Sequence, residues 1–267
     1  MANTYFNNIS PLRYPGGKTR ACFKLDTILN EHFNIKDFDN IISPFFGGGS
    51  FEFYLQNKYN FKIIANDKFK PLYNFWKSCK NNKNELTYKL YQVNDISKET
   101  FTDYRNKIIN EKEQLEQAYY YFIINRCSFS GATLSGGFSN EASKKRFTKS
   151  SIDKIHNLDL SKFKISNKDF EDFIKKYENK ENTILFLDPP YYLEKGSKLY
   201  GNNGDMHETF NHEKLFNTIC NKKNWIMTYN NCDFIKELYK EFLILDIDWS
   251  YGMNKTKESS EIVIISK

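Results

Sequence analysis

The tightest constraint on the fold is a series of short, continuously apolar runs separated by stretches of helical periodicity. Residues 40–45 read NIISPF, 62–66 KIIAN, 162–166 KFKIS, 183–187 TILFL, 225–229 WIMTY, 242–246 FLILD and 261–266 EIVIIS. Runs that are apolar at successive rather than alternate positions suit strands covered by helices on both faces. Helical patterns, such as 19–33 and 212–222, fall between most of them. The alternation predicts a doubly wound α/β fold on a mostly parallel sheet. At 267 residues, 40% of them hydrophobic and 17% aromatic, the chain can bury one such domain and a smaller insertion.

The rhythm breaks between residues 71 and 160. Helical patterns occur there (99–110 and 111–126), with a Gly/Ser-rich stretch around 128–139, but no buried strand. Ninety residues exceed any ordinary connection, so the reading is an inserted subdomain over 71–160, with 1–70 and 161–267 forming the main domain.

Two motifs carry chemistry. The first strand runs into Pro44, Phe45, Phe46, Gly47, Gly48, Gly49 and Ser50, and a helix begins at Phe51. Glycines at a strand-to-helix bend let a ligand approach the backbone without meeting a Cβ. The second strand ends at Asp67, twenty residues past Gly47, where an acid can bind ribose hydroxyls in nucleotide-binding α/β folds. Phe51 and Glu52 stand where a GxGxxG motif needs its last glycine, and Leu12 stands where a Walker loop ending at Gly17-Lys18-Thr19 needs its first. His207 and His212 fall about 140° apart around a helix and cannot share a metal ion. No metal is expected.

The second motif is Asp188-Pro189-Pro190-Tyr191, directly after the strand 183–187. In open α/β sheets the carboxyl ends of the strands are where ligands bind. An exocyclic aryl amine is a poor nucleophile because its lone pair is delocalised into the ring. Acceptors that hold its NH₂ group favour pyramidal nitrogen as a bond forms. Asp188 supplies a carboxylate, Pro189 a main-chain carbonyl with no N–H of its own, and Tyr191 a face for a base, where stacking contributes roughly 1–3 kcal/mol. Stiff prolines hold these groups in position.

These residues resemble a known family. Residues 188–191 look like the DPPY motif of amino-methyltransferases acting on adenine N6 or cytosine N4. Residues 46–49 resemble their FxGxG loop, and residues 14–18 (YPGGK) resemble the N-terminal segment of the Dam-like adenine-N6 DNA methyltransferases (D12 class, group alpha). The order of lysine segment, glycine loop, insert and DPPY is that of the class with its recognition insert in mid-chain.

The resemblance implies a Rossmann-like class I fold with a seven-stranded sheet, and S-adenosylmethionine as methyl donor. It implies cofactor contacts from Tyr14, Gly17, Lys18, residues 44–50, Asp67, Asp169, Phe170 and Asp188, with 71–160 as a target-recognition subdomain. It also implies duplex DNA as partner; the target adenine must then be flipped out of the duplex, and an apolar or aromatic side chain of the insert is expected to help fill the gap. A cognate restriction endonuclease belongs to the same picture. Cytosine N4 as target, and a silent cofactor- and DNA-binding protein, are the alternatives; intact Asp188 and Tyr191 weigh against the second.

A net charge of +6 does not by itself indicate a nucleic-acid partner. Clustering does, and Arg13, Asn125, Arg126, Ser128, Ser130, Lys144, Lys145 and Arg146 are the candidate DNA contacts. The sequence after Asn125-Arg126 lacks the Tyr-Asn-rich stretch of GATC-directed relatives, which argues against that target. Five scattered cysteines form no CxxC pair, and no apolar run could cross a bilayer, so an intracellular, cytoplasmic protein is expected.

Overall fold

The computed structural model describes residues 8–192, 210–249 and 259–266. Seven strands form one sheet: β1 (Asn40–Ser43), β2 (Lys62–Asn66), β3 (Phe163–Ser166), β4 (Thr183–Leu187), β5 (Trp225–Asn230), β6 (Leu243–Trp249) and β7 (Ser259–Ile265). Each apolar run of the sequence is one of them. Their order is β3-β2-β1-β4-β5-β7-β6. All neighbours are parallel except β7, which lies antiparallel between β5 and β6. The direction of strand order reverses between β1 and β4, and their carboxyl-terminal loops emerge side by side at this switch point.

Successive strand residues point to opposite faces, and both faces are covered. Ile41, Ile63, Ile184, Phe186 and Ile226 belong to one buried cluster. Ile42, Ile64, Leu185, Leu187 and Met227 belong to the other. The first face carries α1 (Cys22–His32), α2 (Ser50–Tyr59) and α3 (Lys70–Asn81). The second carries α9 (Phe170–Lys176), α10 (His212–Ile219) and α11 (Asp233–Leu238). This two-sided burial is why the strands read as continuous apolar runs rather than as alternation.

Between α3 and β3 lie α4 (Lys83–Tyr91), α5 (Lys98–Lys107), α6 (Gln114–Cys127), α7 (Asn140–Lys145) and α8 (Lys149–His156). Side-chain caps start several of them: Ser97 accepts from the Thr100 amide, Ser139 from Ala142, and Thr148 forms a capping box with Ser151. The only bridge pairing among the described residues of this segment joins Ser128 to Phe138.

The expected boundary at residue 71 falls within α3, which belongs physically to the sheet. Trp76 is fully buried, packs on Phe46 and Phe53 at centroid distances of 5.2 and 5.6 Å, and donates its indole N–H to the Gly47 carbonyl at 3.0 Å. Phe75 then stacks on Phe122 of α6 at 5.8 Å. Through these contacts the helical segment shares one continuous core with the sheet. Among the described residues no helix is long and apolar enough to cross a membrane.

Candidate active site

A cleft of about 650 Å³ opens over the switch point. Tyr14, Gly17, Lys18, residues 44–50, Asp67, Asp169, Phe170 and residues 188–191 all line it. The three segments singled out by motif therefore converge, although the first and last lie some 170 positions apart in the chain. The volume is within the range typical of sites for small ligands.

The glycine bend owes its shape to two left-handed residues, Gly47 (φ +49°) and Gly49 (φ +68°), which an L side chain would strain. Space demands glycine as well. A Cβ on Gly47 or Gly48 would lie 2.8 or 2.7 Å from the Tyr14 side chain. Asp67 braces the same bend, its Oδ2 accepting the Gly47 N–H at 2.9 Å and its Oδ1 the Phe69 N–H at 2.9 Å. Burial pushes the Asp67 carboxyl up to about 6, although the two backbone donors pull it down. The neighbouring Asn66 ties the carbonyls of Pro44 and Lys168 together, locking the ends of β1 and β3 to β2.

At the far wall, Asp169 caps α9 through the Glu171 amide and pairs with Lys68 at 3.0 Å. The rings of Phe45, Phe170 and Phe210 meet at 5.5–5.6 Å and form an apolar floor. Phe210 carried no signal in sequence, because its role depends on meeting two rings from the loop after β1 and from α9.

The DPPY loop is held by Lys18 of the N-terminal motif and by two buried groups that motif reading missed, Thr228 and Glu261. Lys18 is 3% exposed, and its Nζ lies 3.0 Å from Asp188 Oδ1, 3.8 Å from Glu261 Oε2 on β7, and 5.0 Å from the Tyr191 ring centre. It also donates to the Gly16 carbonyl at 2.9 Å. Thr228, fully buried on β5, donates its hydroxyl to the same Asp188 Oδ1 at 2.6 Å. Both donors converge on Oδ1, and no described residue donates to Oδ2. Asn230 donates to the Tyr192 carbonyl at 2.8 Å, and Tyr192 stacks on Phe234 at 4.4 Å, fixing the exit of the loop. Thr228 and Glu261 gave no sign in sequence because they sit mid-strand in β5 and β7 and act only through the fold.

The candidate DNA contacts divide. Asn125 and Ser128 are fully buried, which corrects their assignment to a DNA surface. Asn125 accepts the Arg13 N–H at 2.9 Å and donates to the Arg13 carbonyl at 2.7 Å, so it fastens the N-terminal motif to α6. The Ser128 hydroxyl accepts from the Thr133 amide and donates to the Asn125 carbonyl. Sequence cannot distinguish a polar side chain that bonds backbone from one that faces a ligand.

Arg13, Arg126 and Arg146 lie close enough to repel one another. Burial, then Arg13 and Arg146, pull the Arg126 guanidinium down to about 10, and burial and Arg146 lower Arg13. Arg126 donates to the carbonyls of Arg146 and Pro11, and Arg13 to that of Ser128. Among the described residues none of the three pairs with a carboxylate, whereas Lys145 pairs with Glu141 at 3.0 Å and Lys144 is exposed. Ser130, at φ +53°, turns the tip of the loop next to Phe129, which is 70% exposed. His207 lies outside the described residues.

Strand order, glycine bend and carboxylate turn together define a class, the Rossmann-like methyltransferases that use S-adenosylmethionine. Within it the comparison with known families is specific. The model of the D12 class N6 adenine-specific DNA methyltransferases matches residues 14–253, and the chain belongs to that family. It is thus a site-specific DNA methyltransferase directed at adenine N6, and the cytosine-N4 alternative falls away.

Two relatives align over most of their length. The Type II methyltransferase M.MjaIII of Methanocaldococcus jannaschii is 27% identical over 260 residues, covering 87% of this chain and 88% of the relative. The Type II methyltransferase M.CviBI of Paramecium bursaria Chlorella virus NC1A is 25% identical over 264 residues, covering 90% of each.

Proposed function

We propose that the cleft holds S-adenosylmethionine along the glycine bend and presents a flipped adenine to the Asp188–Tyr191 turn. The observation that carries this is the one-sided clamp on Asp188. Lys18 and Thr228 both engage Oδ1, which leaves Oδ2 for the target amine. The donor set suits the cofactor: a glycine bend lining the cleft, on which Tyr14 packs too closely for a Cβ at Gly47 or Gly48, a carboxyl at Asp67 for ribose hydroxyls, and the ring floor of Phe45, Phe170 and Phe210 for the adenine. Tyr14, Gly17 and Lys18 close the cradle from the N-terminal side.

When bound, the cofactor supplies an activated methyl group on a sulfonium. Asp188 Oδ2 and the Pro189 carbonyl accept from the N6 amine, Tyr191 stacks the base, and Pro190 holds the turn rigid. Positive charge developing on nitrogen is met by preorganised acceptors, which is the main electrostatic contribution to the rate. The Lys18 contact to Asp188 orients the carboxylate while Glu261 offsets part of the lysine's charge.

Residues 71–160 serve as the recognition subdomain in this reading. Arg13, Arg126 and Arg146 form an uncompensated cationic cluster suited to backbone phosphate, with Lys144, Lys145 and Ser130 at its rim. Phe129 is the aromatic side chain that fills the space left by the flipped base, since it is the large exposed ring on the loop whose residues 132–134 reach the cleft. Two relatives named as Type II methyltransferases favour a role beside a cognate restriction endonuclease.

The test is transfer of tritiated methyl groups to unmethylated genomic DNA, followed by nucleoside analysis and long-read mapping. N6-methyladenine at one short sequence is the expected product, and Asp188→Ala abolishes it while circular dichroism shows the fold intact. Retained turnover in that variant refutes the role given to Asp188.

A further inference from the structure

Glu52 has no part in the mechanism above, yet it is only 2% exposed and lines the cleft. It stands in the first turn of α2, three residues past Gly49, amid the apolar sequence Phe51, Phe53 and Leu55. Ser43, fully buried at the end of β1, donates its hydroxyl to Glu52 Oε1 at 2.5 Å. Among the described residues no lysine, arginine or histidine lies within ion-pair distance. The nearest cation that influences it, Lys18, is already engaged with Asp188 and Glu261. Cys22 and Asp188 are the other titratable groups that face it.

A buried carboxyl normally has a cationic partner or persists because it is neutral. Here burial pushes Glu52 up to about 8, and Asp188 adds to the effect, against the downward pull of Ser43, the residue's own backbone N–H and Lys18. In the chain alone it is therefore mainly protonated at neutral pH. It is held in the wall of a cleft whose ligand carries positive charge.

We infer that Glu52 is the anchor for the α-ammonium of the methionyl part of the cofactor. This rests on the reading that the cleft takes S-adenosylmethionine. The allocation follows from position. The ribose acceptor Asp67 and the ring floor lie on the β2 and α9 side, and the sulfonium must reach Asp188 at β4. The ammonium is the one remaining cationic group, and Glu52 is the remaining acid beside the glycine bend. The helix N-terminus and the Ser43 hydroxyl favour the carboxylate once a cation arrives. Docking therefore drives the carboxyl proton into solvent and leaves an ion pair sealed from water.

The test uses the full chain and S-adenosylhomocysteine, which keeps the ammonium but has a neutral sulfur, together with its analogue in which the α-amino group is replaced by hydrogen. Calorimetry between pH 6 and 8 is expected to show homocysteine-product affinity rising with pH in the wild type. Repeating it in buffers of different ionisation heat should show release of close to one proton at pH 7. Glu52→Gln keeps an acceptor for Ser43 and removes the charge. At pH 8 it should weaken S-adenosylhomocysteine binding on the order of tenfold to a hundredfold, the range of a charge-assisted hydrogen bond. Affinity for the deaminated analogue should be the same in both proteins.

Ser43→Ala, which retains the charge, should move the pH profile of binding to higher pH. Equal losses for both ligands would mean that Glu52 only shapes the bend, and an unaltered affinity in Glu52→Gln would mean no contact; either overturns the proposal alone. If the wild type binds neither ligand, the cofactor reading itself fails and takes the proposal with it.

Discussion

Replacing Glu52 with Gln should stabilise the unliganded protein at alkaline pH, although it removes a group from the cofactor cleft. A glutamate in an unfolded chain titrates near 4.3. In the folded chain burial raises it to about 8. A folded-state value above the unfolded one means that the neutral carboxyl favours the fold: this stability is complete below the unfolded value and is lost as pH rises through the folded value. Each unit of displacement corresponds to about 1.4 kcal/mol.

Between pH 5 and 8 the wild type should therefore lose roughly 3–4 kcal/mol from this group, allowing some relaxation around the buried carboxyl. For a chain of this size that corresponds to a fall in melting temperature of about 6–12 °C. Asp67, raised to about 6 by burial, adds a smaller loss that is complete by pH 7. Glu52→Gln cannot ionise, so only the Asp67 part should remain and the two melting curves should diverge above about pH 5. Scanning calorimetry without ligand, in buffers of matched ionic strength, measures this directly. Parallel pH dependences in the two proteins would refute the claim that Glu52 is buried and neutral.

The other expectations concern turnover and DNA. Thr228→Val is nearly isosteric but removes the 2.6 Å hydrogen bond to Asp188 Oδ1. It should lower kcat about tenfold or more while leaving cofactor affinity unchanged; an unchanged kcat would show that Lys18 alone orients the carboxylate. Phe129→Ala should suppress the fluorescence rise of a 2-aminopurine placed at the target position, and a target mismatch should partly restore the rate because less pairing opposes flipping. Wild-type behaviour in that assay would exclude Phe129 as the gap-filling side chain. Arg146→Ala should reduce the salt slope of DNA affinity by about 1, whereas Lys145→Ala, already paired with Glu141, should reduce it less. Equal slopes in both variants would remove the arginine cluster from the interface.

Sequence alone determined the seven strands, because burial on both faces imprints a continuous apolar run at each of 40–45, 62–66, 162–166, 183–187, 225–229, 242–246 and 261–266. It also determined the loops that matter. Glycines at a bend and a Pro-Pro pair after a strand are local backbone demands, written in contiguous residues. What crosses the chain left no such trace. Thr228 and Glu261 are polar residues inside apolar strands, and only the pairing of strands in the sheet and the return of Lys18 to the switch point give Thr228 Asp188 and Glu261 Lys18 as partners.

Asn125 and Ser128 show the same limit from the other side. Their polarity suggested a surface, but the fold turned them inward to bond the backbone of the N-terminal segment and of their own loop. Glu52 was visible as an acid after three glycines, yet its meaning depends on what does not surround it. That no cation among the described residues pairs with it is a property of three-dimensional packing, because a hydrogen bond or an ion pair is decided by distances of a few ångströms that residues far apart in sequence must meet together.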